Sequence, residues 1–408
     1  MNPLPLVIAT LRRHRGAFAF FVLLIAGAVA LGVAISASER ALRQGSARAA
    51  DKFDLIVAAP GSRTDVVLTA IYLKPGTVPL MDGAAVARVL AEPRAKIAAP
   101  IAFGDSFGGA PIVGTIAAFV EHLSGGLAAG RLFAAEGEAV VGAASPLALG
   151  ATFRPVHGLL AQKGADDDTH EHALDIKVVG RMKPTGTPWD RAIAVPVEQV
   201  WHVHGLPEGH APSKDGQGDA RIGPPFDPAF TPGVPAIVVT PGSVNAAYGL
   251  RNLFKGNDSM AFFPAEVLVD LYGVMGDVRA LMGVVALAAQ ALVALAVLAA
   301  LAALFALNRR QFATLKVLGA PRGFFVAGVW LYVALIIVAG AALGLALGFG
   351  AAAALSAYVA RATGIAMGAS VGMAEVRLVA LFVGAGLALA LLPALAAARG
   401  EAADGLQG

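Results

Sequence analysis

Residues 323–360 read GFFVAGVW LYVALIIVAG AALGLALGFG AAAALSAYVA, an unbroken run with no acidic or basic side chain. About 20 apolar residues suffice for a helix to cross the hydrocarbon core of a bilayer, so this run by itself predicts a transmembrane segment. Working outward, three more uncharged runs of sufficient length appear, at 16–36, 280–308 and 378–398. The first holds 21 residues, about 31 Å at the helical rise of 1.5 Å per residue. Arg12, Arg13 and Arg15 before it resemble the charged head of a secretory signal, but the run exceeds the usual 7 to 15 apolar residues of a cleaved signal. A retained helix is expected. The composition agrees: 57% hydrophobic against 14% charged residues, with a mean hydropathy of +0.69, is far from a soluble globular chain.

Lys and Arg in short connections mark the cytoplasmic side. Arg12, Arg13 and Arg15 precede the first run, and Arg309, Arg310, Lys316 and Arg322 lie between the second and third. The connection after the third run carries only Arg361 and Glu375 before Arg377. The expected order is therefore a cytoplasmic segment 1–15, helix 16–37, an extracytoplasmic region 38–277, helix 278–307, a cytoplasmic segment 308–322, helix 323–350, an outer loop 351–376, helix 377–398 and a cytoplasmic tail 399–408. The fold class is a membrane protein of four transmembrane α-helices, with a large mixed α/β domain inserted between helices 1 and 2. The location is the bacterial inner membrane, with lipid as an obligate neighbour.

The inserted region has about 240 residues, enough for one module of two subdomains. Glu39 to Lys52 is polar and compatible with a helical stalk. Strand-like pieces follow at 53–58, 138–141, 175–179, 192–197 and 236–240, each bordered by Gly, Pro or Asp, with a helix expected over 82–91. Gly205 to Pro235, rich in Pro, Gly and charge, reads as an irregular loop. Val66 to Leu73 is apolar but too short to cross; core burial is the default, with contact to the outer leaflet or a hydrophobic substrate left open. The absence of cysteine excludes disulfides, thiol catalysis, thiolate metal sites and iron–sulfur clusters. The net charge of +3, without a basic and aromatic stripe, gives no reason to expect nucleic acid.

The connection 308–322, NRRQFATLKVLGAPR, can form a short amphipathic helix. Phe312, Leu315 and Leu318 would share one side, with cations elsewhere and Gly319 and Pro321 as stops. From physics alone, a basic loop that merely sets topology is an equal reading. The stretch also resembles the Arg-Arg-x-Glu-x-x-x-Leu-Arg-x-Leu-Gly-Ala motif of permeases of the MacB, LolC/LolE and FtsX type. Arg309 and Arg310 match the basic pair, Leu315 the leucine, Lys316 the second cation and Leu318-Gly319-Ala320 the ending, while Gln311 replaces the usual Glu. The overall layout is similar too, as is the succession Val178-Val179-Gly180, Thr185-Gly186-Thr187 and Ile193 to Val197.

The resemblance implies that Arg309, Arg310, Gln311, Phe312, Leu315, Lys316, Leu318 and Gly319 dock on an ABC ATPase. It also implies that the extracytoplasmic domain moves as nucleotide is bound and hydrolysed. No Gly-x-x-x-x-Gly-Lys-Ser/Thr loop occurs in the sequence, so ATP and Mg are expected on a separate chain. The implied assembly is a homodimer with two ATPases, and a periplasmic partner is possible. The chain itself is expected to be non-catalytic, with a hydrophobic, peptide or lipoprotein-type substrate. An FtsX-like device that signals to a periplasmic enzyme without moving cargo needs the same mechanical parts.

The four runs contain no ionisable residue. Such groups usually mark ion or proton pathways, so a proton- or sodium-driven transporter is disfavoured. Gly340, Gly344, Gly348 and Gly350 are spaced for close helix packing. Seven of the eight histidines (all but His14) lie between residues 38 and 277. His170, His172, His202 and His204 form two His-x-His pairs, the first beside three aspartates, and imidazole and carboxylate are ligand types that zinc prefers. In a strand each pair would face one side; in an acidic loop such residues are ordinarily just solvated. A membrane-anchored zinc-binding protein is thus a third expectation.

Overall fold

The computed structural model describes residues 2–74, 76–158, 174–211, 221–307, 319–392 and 394–395. It opens with α1 (Leu4–Arg13) and α2 (Arg15–Ala50), then β1 (Leu55–Ala58), α3 (Arg63–Ala70), α4 (Gly83–Leu90), β2 (Ala95–Phe107), β3 (Ala110–Thr115) and α5 (Ala117–Ser124). There follow β4 (Leu127–Gly130), β5 (Glu138–Val141), β6 (Thr152–Phe153), β7 (Val156–His157) and β8 (Ile176–Met182). Next come a 3₁₀ turn (Pro188–Arg191), β9 (Ile193–Pro196), α6 (Val197–Val203), β10 (Ala236–Pro241), α7 (Val244–Leu253) and β11 (Met260–Phe262). The last elements are α8 (Pro264–Leu307), α9 (Arg322–Thr363) and α10 (Met373–Leu389). They group into two units. One holds the described residues of Met1–Arg43, Val274–Tyr358 and Met367–Gly408, the other Gln44–Gly273 with Val359–Ala366.

Among the described residues, three helices are long and apolar enough to cross a membrane: Arg15–Ala50, Pro264–Ala299 and Arg322–Thr363. The expected fourth crossing holds α10, whose 17 residues fall just short of the usual 20. Helix α9 also continues beyond Gly350 as far as Thr363, because the Ala-rich stretch after Gly350 suits a helix. Gly364, at φ +78°, then ends it in a conformation that favours glycine.

Small residues set the closest helix approach. A Cβ on Gly340, Gly344 or Gly348 would lie 2.7 Å from side-chain atoms of Ile25, Val29 or Val33, respectively. Glycines four apart lie along one face of α9, and that face carries the ridge of α2. No hydrophobic effect separates helix from lipid, so close backbone packing of this kind holds such pairs. Gln290 donates to Ala28 O at 3.4 Å, and Trp330 Nε1 to Leu387 O at 3.0 Å.

The second unit is built on a mixed sheet in the order β11-β1-β10-β2-β3-β9-β5-β8-β4, with β6 on β8 and β7 on β2. The 13-residue β2 serves two lobes: Ala95 to Ile101 pair with β10, and Ala102 to Phe107 with β3. Its composition, AKIAAPIAFGDSF, is poor in β-branched residues, which is why the sequence does not announce it. Strands β3–β9 and β5–β8 run parallel. The expected strands are found within one to three residues. The helix expected over 82–91 is Gly83–Leu90, capped by Asp82, whose carboxylate accepts from Ala84 N at 3.2 Å.

Val66, Val67, Ala70 and Ile71 of the short apolar stretch are buried, at 0–2% exposure, on and just after α3. Phe53, Phe119 and Trp189 form an aromatic cluster with centroids 5.6–6.3 Å apart, Phe119 standing edge-to-face against the other two; full burial of each ring contributes about 2–3 kcal/mol. Residues 205–211 and 221–235 contain neither helix nor strand, in keeping with the expected loop.

Candidate functional site

Two regions carry the residues singled out by the sequence. The first is the connection after α8. Arg309, Arg310, Gln311, Phe312, Leu315, Lys316 and Leu318 lie outside the described residues. Gly319 is exposed at φ +89°, a left-handed conformation with which glycine complies at no steric cost. Pro321 follows, and its carbonyl accepts from Phe324 N at 2.9 Å, opening α9. The helix that Gly319 and Pro321 are expected to stop lies outside the described residues.

The second region surrounds α6. Strand β9 runs straight into this helix at Pro196. Gly114 on β3 lets it approach closely: a Cβ there would stand 2.6 Å from Val200 Cγ2 and 3.1 Å from Val197 Cα. His170 and His172 lie outside the described residues. His202 lies in the last turn of α6 and His204 is its C-cap. On a helix two residues span about 200°, so the two rings point to different places, unlike the shared side a strand would provide.

His202 Nδ1 lies 2.9 Å from Glu208 Oε1 and 3.2 Å from Glu136 Oε2. Burial, and then the charge of Glu208, raise the Glu136 carboxyl above its ordinary range. His204 instead donates its Nδ1–H to Val200 O at 2.7 Å. Its ring lies beside that of His157, with centroids 5.3 Å apart. His157 Nδ1 is 3.6 Å from Oδ1 of Asp105, which is 3% exposed. Asp105 and His157 are direct cross-strand partners of β2 and β7. They escape a reading of the sequence because only strand register brings them to His204.

A buried group sits at the opposite end of the same helix. Glu198, 1% exposed, accepts from Gly223 N and lies 3.6 Å from His210 Nε2. Burial pushes its carboxyl up to about 7, with the charges of Glu136 and Glu208 adding to the rise. Arg221 donates to His210 Nδ1 at 2.9 Å, and the Phe226 ring stacks on the imidazole at 5.4 Å.

The Thr185-Gly186-Thr187 turn is organised by one carboxylate. Asp190 accepts from Thr185 N and Oγ1, both at 2.7 Å, and from Gly186 N at 2.8 Å. Gly186 O then accepts from Ala366 N at 2.8 Å, and the Arg191 guanidinium donates to Arg361 O and Ala362 O. The segment 359–366, which ends α9, is thus bonded into the sheet-bearing unit.

Residues 283–401 match the family described as FtsX-like permease C-terminal. Among solved structures, the chain is similar to the periplasmic region of MacB from Actinobacillus actinomycetemcomitans. The identity is 13% and the TM-score 0.33, covering 55% of this chain and 95% of that one. It is also similar to the extracellular domain of the noncanonic ABC-type transporter YknZ from Gram-positive bacteria. There the identity is 11% and the TM-score 0.29, covering 51% and 98%. No curated protein matches the chain.

Proposed function

We propose that the chain is the permease subunit of an ABC system of the MacB and LolC/LolE type, working as a homodimer with two copies of a separate ATPase. The observation that carries this reading is the match of residues 283–401 to the FtsX-like permease C-terminal family, because the matched span encloses the basic amphipathic connection 308–322. ATP and Mg belong to the partner. Closure of the ATPases would push on 308–322 and pass through α9, a single helix from Arg322 to Thr363, whose last turn is bonded to the Asp190-ordered turn. The cargo would be a hydrophobic, peptide or lipoprotein-type molecule taken from the periplasm or outer leaflet. Use of the same motion to activate a periplasmic enzyme is the alternative. A cargo that stimulates ATP hydrolysis supports transport, and a tightly bound hydrolase supports signalling.

The test is substitution within the connection. Leu315 and Leu318 would fill an apolar groove on the ATPase while Arg309, Arg310 and Lys316 bond around it. Truncating a buried anchor costs about 2 kcal/mol or more, and a rim cation less. Leu315→Asp or Leu318→Asp should weaken ATPase co-purification by about tenfold or more without blocking membrane insertion, and Lys316→Ala should do less. Full association and activity of the Leu315→Asp protein would remove the coupling role.

A further inference from the structure

We propose that Asp105, His157 and His204 form a binding site for a borderline divalent cation, zinc in the first place. This site shares only His204 with the His-x-His pairs that the sequence suggests, and it does not depend on the ABC reading. The donors come from three elements far apart in the chain: β2, β7 and the C-cap of α6. One ligand atom from each lies within 4.8 Å of the other two. At zinc–ligand distances of about 2.0–2.1 Å, tetrahedral donors stand about 3.4 Å apart. The 3.6 Å between His157 Nδ1 and Asp105 Oδ1 is close to this, and the third donor lies within 4.8 Å of both.

Two further features suit a metal better than a plain His–Asp contact. A carbonyl oxygen can only accept, so the 2.7 Å bond between His204 Nδ1 and Val200 O places the proton on Nδ1. Nε2 then carries the ring's lone pair. Metal-ligating histidines are characteristically oriented in this way, by donating the other ring N–H to an acceptor. The His204 ring also rests against the bare Cα of Gly104, where an added Cβ would run into Cε1 and Nε2. The donor set is one anionic oxygen and two imidazoles, which suits zinc over the oxygen-seeking magnesium and calcium. Asp105 is buried while the His157 side chain is 53% exposed, so the charged ligand is sheltered and the site keeps an entrance.

The second imidazole–carboxylate cluster differs in kind. A single nitrogen, His202 Nδ1, faces both Glu136 and Glu208, so this cluster offers one imidazole where the first offers two.

The experiment uses the full chain, purified in detergent through a tag without histidines and dialysed against zinc. Metal content is read by mass spectrometry, and affinity by competition with a chromophoric chelator. The expected result is about one zinc per chain, with affinity reduced tenfold or more in His157→Ala, His204→Gln and Asp105→Asn and unchanged in His202→Ala. Gly104→Ala keeps every ligand but displaces the His204 ring, and should weaken zinc binding about tenfold, its metal-free thermal midpoint serving as the check that it still folds. Wild-type protein that retains no zinc would overturn the proposal. So would zinc kept by all three ligand variants, lost equally from His202→Ala, or removed only by His170→Ala with His172→Ala.

Discussion

Arg40 Nη2 lies 2.7 Å from Glu375 Oε2, joining the distal part of α2 to the first turn of α10. The Glu375 side chain is fully buried and that of Arg40 is 23% exposed. The same carboxylate accepts from Gly372 N at 2.8 Å, and Arg40 also donates to Ser370 O. Glu375 therefore caps its own helix while neutralising a cation from another.

Removing one member of a buried pair leaves the other charged and poorly solvated, which is more costly than the pair itself is favourable. Glu375→Ala should destabilise the protein by about 2 kcal/mol, a figure reduced for the partial exposure of Arg40. Thermal unfolding in micelles reads the effect. Combining it with Arg40→Ala should cost less than the sum of the single changes; strict additivity would show that the two do not interact.

The glycine face of α9 offers a graded test. Gly344→Val places branched carbon where Val29 Cβ is already 2.7 Å and Ala26 O 2.8 Å from an ideal Cβ. Overpacking of this kind costs about 1–3 kcal/mol. Gly350→Ala meets nothing within 4 Å and should be neutral or slightly stabilising. Equal thermal midpoints for Gly344→Val and Gly350→Ala would dismiss the close helix contact.

Glu198 makes the sheet-bearing unit sensitive to pH. Its folded carboxyl titrates at about 7 against an ordinary 4.5. Between these values the folded form holds a proton that the unfolded form has released, so stability falls as pH rises and levels off above about 7. The loss across the window is about 3 kcal/mol. The thermal midpoint measured from pH 5 to 8 should fall in the wild type and fall less in Glu198→Gln. Matching slopes would place the dependence on other groups.

The charge asymmetry around the apolar runs predicts topology directly. Reporter fusions at Gly130 and Gly218 should read as periplasmic, and one at Arg322 as cytoplasmic. A cytoplasmic signal at Gly130 would reverse the orientation of the chain.

Much of the architecture is legible in local pattern. β5 occupies Glu138–Val141, as its apolar run and the bordering Gly137 and Gly142 suggest, and Asp82 caps α4 because a side-chain oxygen before an apolar helix satisfies its orphan N–H groups. Strands β2 and β3 are not legible. Ala, Pro, Gly and Asp fill seven of the 13 positions of β2, and the two are strands because β10 on one side and β9 on the other supply hydrogen-bond partners. Long-range pairing of this kind leaves no periodic trace in the chain.

The histidines mark the same boundary. By itself the sequence determined that the chain has apolar runs long enough to cross a bilayer, a basic connection between two of them, and a histidine-bearing domain without cysteine. Each of these follows from composition or from spacing within one segment. Only the tertiary structure decided that His202 and His204 diverge, since α6 turns them about 200° apart where a strand would have aligned them. It also decided that His204 meets Asp105 and His157, because register between β2 and β7, and the seating of α6 over Gly114, are properties of contacts among segments distant in sequence.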